Sequence, residues 1–150
     1  MKKIAIMTAL ALAAVSASAL EIGVRGTVSS ADTSMADSIG MTIGQRYGKT
    51  VVEAGFDRTT RGAMNVNKWS AVGSYDLVSY KGVNMAAIGG AYFVDPSVGS
   101  DGAGVLVGAT ASYPLSKQVN LVAGYQYQYG ASRVNFADGN YFTFGAKYSF

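Results

Sequence analysis

Apolar residues recur at every second position through eight separate stretches of the chain, the period of β-strands with one apolar and one polar face. The clearest stretch is Asn140–Phe150, where Phe142, Phe144, Ala146, Tyr148 and Phe150 alternate with Thr143, Gly145, Lys147 and Ser149. The first stretch, Leu20–Val28, sets Leu20, Ile22, Val24 and Val28 against Glu21, Arg25 and Thr27. Ser38–Tyr47 sets Ile39, Met41, Ile43 and Tyr47 against Ser38, Thr42 and Arg46, and Val51–Asp57 sets Val52, Ala54 and Phe56 against Glu53 and Asp57. Asn67–Leu77 places Trp69, Ala71, Tyr75 and Leu77 opposite Lys68, Ser70, Ser74 and Asp76. In Val83–Phe93 the apolar face is Val83, Met85, Ala87, Ala91 and Phe93, which leaves Ile88 and Tyr92 as apolar residues on the polar face. Gly104–Tyr113 and Val119–Tyr129 complete the set, the latter with Asn120, Gln126 and Gln128 on its polar face.

Turn residues separate the strands. Gly48-Lys49, Ser79–Gly82 and Pro114–Lys117 are short connectors, and Ser29–Asp37, Arg58–Val66, Val94–Ala103 and Gly130–Gly139 are longer ones. Short turns at one end and longer loops at the other, with an even strand number, predict an up-and-down antiparallel barrel. Alternation alone does not say which face points in. The aromatics do: Tyr47, Tyr75, Tyr113, Tyr148 and Phe150 fall at the turn end of their strands, and Phe56, Trp69, Phe93, Tyr127 and Phe142 towards the loop end. Two aromatic rings flanking a band of Val, Ile, Leu, Met and Ala predict a lipid-facing exterior. The alternative is a soluble periplasmic barrel that turns its apolar face inward around a ligand.

The start of the chain breaks the pattern. Lys2 and Lys3, the apolar run Ile4–Val15 and Ala17-Ser18-Ala19 have the form of a secretory signal peptide, and the run is too short to span a bilayer as a helix. Residues 1–19 are therefore expected to be removed, and residues 20–150 to form one barrel domain. This changes the charge argument, because the 12 Lys+Arg and 9 Asp+Glu of the whole chain become 10 against 9. The balance gives no reason to expect a nucleic-acid partner. With 0 Cys there is neither a disulfide framework nor a lipidated cysteine.

With Tyr148 and Phe150 in this spacing, the last strand resembles the C-terminal recognition signal of bacterial outer-membrane barrels. The stretch Tyr113-Pro114-Leu115-Ser116-Lys117 running into Val119–Tyr129 looks like a late hairpin of the same superfamily. The chain from Leu20 to Phe150 thus resembles the small eight-stranded outer-membrane β-barrels of the OmpA-barrel, OmpX and opacity-protein type. That resemblance implies an all-β transmembrane barrel in the outer membrane of a Gram-negative bacterium. Its implied partners are outer-membrane lipid and lipopolysaccharide, and the barrel-assembly machinery during insertion. The loops are shorter than those of OmpX, which weakens any expectation of adhesion through protruding strands.

An eight-stranded barrel has an interior just wide enough for side chains to fill. The inward positions hold Glu21, Glu53, Asp57 and Asp76 together with Arg25, Arg46, Lys68 and Lys147. Four acids and four bases in a narrow lumen predict an ion-pair network, since an unpaired buried charge is costly. Inward glycines (Gly40, Gly44, Gly55, Gly108, Gly124, Gly145) are expected to make room for the long cations.

Catalysis has little to work with. Enzymes among barrels of this size use a His beside a Ser, and this chain has 0 His. The absence of His and Cys also removes the usual zinc ligands, so neither metal nor cofactor is expected. Ala87, Gly89, Ala91, Ala109, Ala111 and Ala123 form a smooth outward stripe, read either as plain lipid contact or as the face of a weak homo-oligomer. The function expected is an integral outer-membrane barrel with a filled polar lumen, serving envelope integrity or contact through its loops. A narrow porin-like channel is the alternative.

Overall fold

The alternating stretches form eight antiparallel strands: β1 (Leu20–Ser29), β2 (Asp37–Tyr47), β3 (Thr50–Arg61), β4 (Met64–Tyr80), β5 (Val83–Pro96), β6 (Gly102–Pro114), β7 (Val119–Ser132) and β8 (Gly139–Ser149). The computed structural model describes residues 19–29, 37–61, 64–97, 100–132 and 138–150. Almost all of the expected signal segment lies outside the described residues; the carbonyl of Ala19 accepts a bond from the Arg46 amide at 3.1 Å.

Each strand pairs with its sequence neighbour, and β8 pairs with β1 to close the barrel. Closure matters energetically. In lipid no water satisfies an exposed ladder, and a closed sheet leaves no edge. The closing register is Ile22↔Tyr148, Val24↔Ala146, Gly26↔Phe144 and Val28↔Phe142, so the apolar residues of both strands face outward together.

The burial pattern decides which face is in. Twenty-five large hydrophobic side chains are exposed, including Ile39 at 78%, whereas only seven hydrophobic residues among those described are buried. An exterior of that kind is stable only against hydrocarbon. The soluble alternative, with an apolar interior and a polar exterior, is overturned.

Three expectations about the strands need correction. The connector expected at Arg58–Val66 is mostly strand: the pairing runs Arg58↔Asn67, Thr59↔Val66, Thr60↔Asn65 and Arg61↔Met64, so only two residues separate β3 from β4. Thr59 is buried beside Val66, and β-branched inward residues carry the ladder past the expected apolar band. The alternation in β4 also does not continue simply through Leu77. A bulge between Asp76 and Val78 leaves Leu77 and Val78 both exposed and carries the strand on to Tyr80. Finally, the lumen is not polar throughout. Val66, Tyr92, Val94, Leu106 and Tyr141 form a buried cluster inside it, with Val72 and Ile88 packed against them. The two residues that looked out of place on β5 belong to this cluster.

Three short turns join strands at the opposite end from the loops. Gly48 takes φ 60° in the β2–β3 turn, and Lys81 and Gly82 take φ 48° and 81° in the β4–β5 turn. Positive φ at these positions matches the right-handed twist of the flanking strands. The β6–β7 turn is held by Ser116, whose hydroxyl accepts from the Gln118 and Val119 amides at 3.2 and 3.0 Å.

Candidate functional site: the charged lumen

Register places the charges before any side chain is considered. Arg25 on β1 pairs with Gly40, Gly40 with Asp57 on β3, and Asp57 with Lys68 on β4, so the four stand in one row across four strands. The glycine in that row is a steric requirement. A Cβ at Gly40 would overlap the Asp57 carboxylate and come within 2.7 Å of the Phe56 carbonyl, closing the gap across which Arg25 reaches. A Cβ at Gly55 would fall 2.5 Å from Ser70 Oγ and 2.7 Å from an Arg25 guanidinium nitrogen. Gly44, Gly108 and Gly124 play no such part. They face neighbouring backbone and the side chains of Val51, Glu53, Gln126, Thr110 and Thr143 rather than any cation. Gly23, not anticipated, makes room for Lys147, whose Cγ would lie 3.0 Å from an added Cβ.

All eight inward charges named from the sequence meet in one alternating chain. Starting at the turn end, Asp76 Oδ2 accepts from Arg46 Nη1 at 2.7 Å, and Arg46 Nε donates to Glu21 Oε1 at 2.9 Å. Glu21 lies 3.9 Å from Lys147 Nζ, which also donates to Glu53. Glu53 is 3.8 Å from Arg25. Arg25 then grips Asp57 with both ends of its fork, Nε to Oδ1 at 2.8 Å and Nη2 to Oδ2 at 2.6 Å. Lys68 Nζ ends the chain 3.6 Å from Asp57 Oδ2. Acid and base alternate at every link, so no charge faces a like neighbour without an opposite one between them.

Burial deepens along the chain. The Arg46 side chain is 37% exposed, that of Asp57 is 1% and that of Lys68 is 3%. The fork–fork pair of Arg25 and Asp57 is the geometry that best offsets the desolvation of two charges. Beyond Lys68 the lumen turns apolar. Its ammonium sits 5.6 Å from the centre of the Tyr141 ring, a cation–π contact at the border between the charged chain and the buried cluster. Lys68↔Val94 and Ser70↔Tyr92 set that cluster beside the buried end of the charged chain.

What space remains is small. A cavity of about 80 Å³ lies between the charged chain and the far wall, bordered by Arg25, Glu53, Lys147, Thr110, Ile88 and Gln126. It has room for a few waters and is far below the ~300 Å³ of a drug-sized ligand site. Gln128, wholly buried, and the Tyr92 hydroxyl have no hydrogen-bond partner among the described residues, and polar atoms of this kind are met in barrels by internal water.

On the outside, the anticipated aromatics lie on the lipid face. Tyr47, Tyr75, Tyr113, Tyr127, Phe142, Tyr148 and Phe150 are exposed. Phe56 and Trp69 are half-buried against each other with ring centres 4.5 Å apart, and Phe93 is half-buried on the strand beside Trp69. Tyr148 and Phe150 meet edge to face at 4.8 Å. Tyr80, Tyr125 and Tyr129 add to the exposed set.

No family model and no curated protein matches the sequence. Solved structures do match its fold. The N-terminal β-barrel domain of Pseudomonas aeruginosa OprF superposes with a TM-score of 0.73 at 17% identity, over 89% of this chain and 98% of that one. OprG of the same organism gives 0.60 at 13% identity, covering 89% and 96%. Neisserial surface protein A gives 0.58 at 19% identity, covering 87% and 94%. The fold is that of the small eight-stranded transmembrane barrels.

Proposed function

We propose that this chain is an integral outer-membrane protein whose barrel is a sealed scaffold. The observation that carries this reading is the lumen, with eight charges consumed in one continuous chain and an apolar cluster beside its buried end. Such an interior supports a filled wall over an open pore. The role then belongs to the envelope itself, or to contacts made by the loops.

Localisation in the outer membrane is supported by the apolar exterior, by the form of residues 1–19, and by the resemblance in fold to bacterial outer-membrane barrels. We take outer-membrane lipid and lipopolysaccharide as the surroundings of that exterior. We take β8 with Tyr148 and Phe150 as the segment handled by the assembly machinery, because barrel closure depends on it from both sides. A chain with 0 His and 0 Cys is read as a non-enzyme. The second reading, a narrow ion channel, draws on the small polar cavity beside Arg25, Glu53 and Lys147.

The test is conductance of the refolded protein in a planar bilayer. The sealed scaffold gives a silent membrane. Steady, discrete openings whose ion selectivity changes in Glu53→Gln would overturn it in favour of the channel.

A further inference from the structure

We infer that the barrel carries a binding site for an anionic glycerophospholipid on its outer wall, in the leaflet that the short turns face. The inference rests on the membrane-barrel reading and adds a site to it. Each short turn presents one exposed lysine, Lys49, Lys81 and Lys117, and none of the three contains an acid. Two of these turns, those of Lys81 and Lys117, adjoin strands that line a hollow in the lipid-facing surface. The hollow has a volume of about 340 Å³ and lies across β5 to β8. Its floor is the cross-strand pair Ala111↔Ala123, whose small side chains leave the wall recessed. Val83, Tyr113, Leu121 and Phe144 stand around it.

The turns bring both lysines to the end of the strands that line it. Lys81 belongs to the turn that leads directly into Val83, and a Cβ at Gly82 would lie 3.6 Å from the Tyr113 ring. Lys117 belongs to the turn that joins Tyr113's strand to Leu121's. Its backbone is ordered by the Leu115 amide donating to the Val119 carbonyl at 2.8 Å. Lys81 Nζ sits 5.3 Å from the centre of the Tyr80 ring, on the strand that pairs with Val83. An apolar recess in the hydrocarbon zone with two cations at its headgroup end fits one molecule type. An acyl chain fills the recess, and a phosphate with no neutralising choline or amine lies between the lysines. A neutral lipid would use the recess but not the cations, and a second copy of the barrel would need a bulge where each copy is hollow.

Native mass spectrometry of the refolded protein, released from micelles containing equal amounts of palmitoyl-oleoyl phosphatidylglycerol and the matching phosphatidylcholine, tests the site. The expected result is one retained phosphatidylglycerol per barrel, reduced on the order of twentyfold in the Lys81→Gln, Lys117→Gln double variant. Lys49→Gln, on the other side of the barrel, leaves retention unchanged, and Ala111→Leu lowers it with both lysines in place. Equal retention of the two lipids overturns the site, as does a loss in Lys49→Gln equal to that of the pair. A protein dimer that Ala111→Leu disperses also overturns it, in favour of self-association. A gel comparing boiled and unboiled samples of each variant separates the premises. A chain without a heat-dependent mobility shift overturns the barrel reading and the site together. A shifting chain without lipid preference overturns the site alone.

Discussion

Asp57 is the residue on which the lumen turns. It accepts both ends of the Arg25 fork and faces Lys68, with almost no exposure. Asp57→Ala strands two cations in the interior, and the expected loss is about 3–5 kcal/mol of stability. Urea unfolding in lipid vesicles, followed by the fluorescence of the single tryptophan, Trp69, measures it. Arg46→Ala breaks two links of the same chain, yet its side chain is 37% exposed, water reaches the half-exposed Asp76, and buried Glu21 keeps Lys147 at 3.9 Å. Its cost is expected to be no more than about 1 kcal/mol. Equal losses in the two variants would mean that burial does not grade the network. That these residues share one face was legible from parity, and that this face points inward from the aromatic girdles on the other. The order in which they pair was not, because Arg25 reaches Asp57 over a glycine on the strand between them, and that row exists only once the registers of β1, β2 and β3 are set.

At the scale of the elements, the short turns carry backbone requirements that their sequences partly announce. Gly82 sits at φ 81°, where a Cβ is costly, so Gly82→Ala is expected to destabilise by about 1–2 kcal/mol. Gly73 is a strand glycine whose added Cβ meets only the Gly89 carbonyl at 3.8 Å, so Gly73→Ala should change stability by less than about 0.5 kcal/mol. Unfolding midpoints of the two variants under identical lipid conditions check the contrast. Turn residues revealed the three tight connectors in the sequence. They did not reveal that β3 and β4 extend to Arg61 and Met64, since polar residues there look like loop until each finds its cross-strand partner. The bulge at Leu77 was likewise invisible, because one extra residue changes nothing in a local pattern except the side on which the next apolar residue falls.

The whole molecule is a barrel turned inside out relative to a soluble one, with its hydrophobic surface outside and its charges within. Trp69 reports on this directly. It lies on the outer wall against Phe56, so lipids brominated on their acyl chains are expected to quench most of its fluorescence in refolded vesicles. Fluorescence unchanged by brominated lipid would place the outer wall in water and remove the basis of the membrane reading.

By itself the sequence determined the strand number, the two faces of each strand and the set of eight inward charges. Strand number and faces follow from period-2 alternation, which is local and survives any arrangement of the strands, and the aromatic girdles say which face is out. Only the tertiary structure decided that Ile88 and Tyr92 are part of an apolar cluster with Val66, Val94, Leu106 and Tyr141, and that the charges link end to end. Both depend on which residues meet across the lumen. That is set by the stagger of eight closed strands, a property of the whole sheet that no single strand encodes.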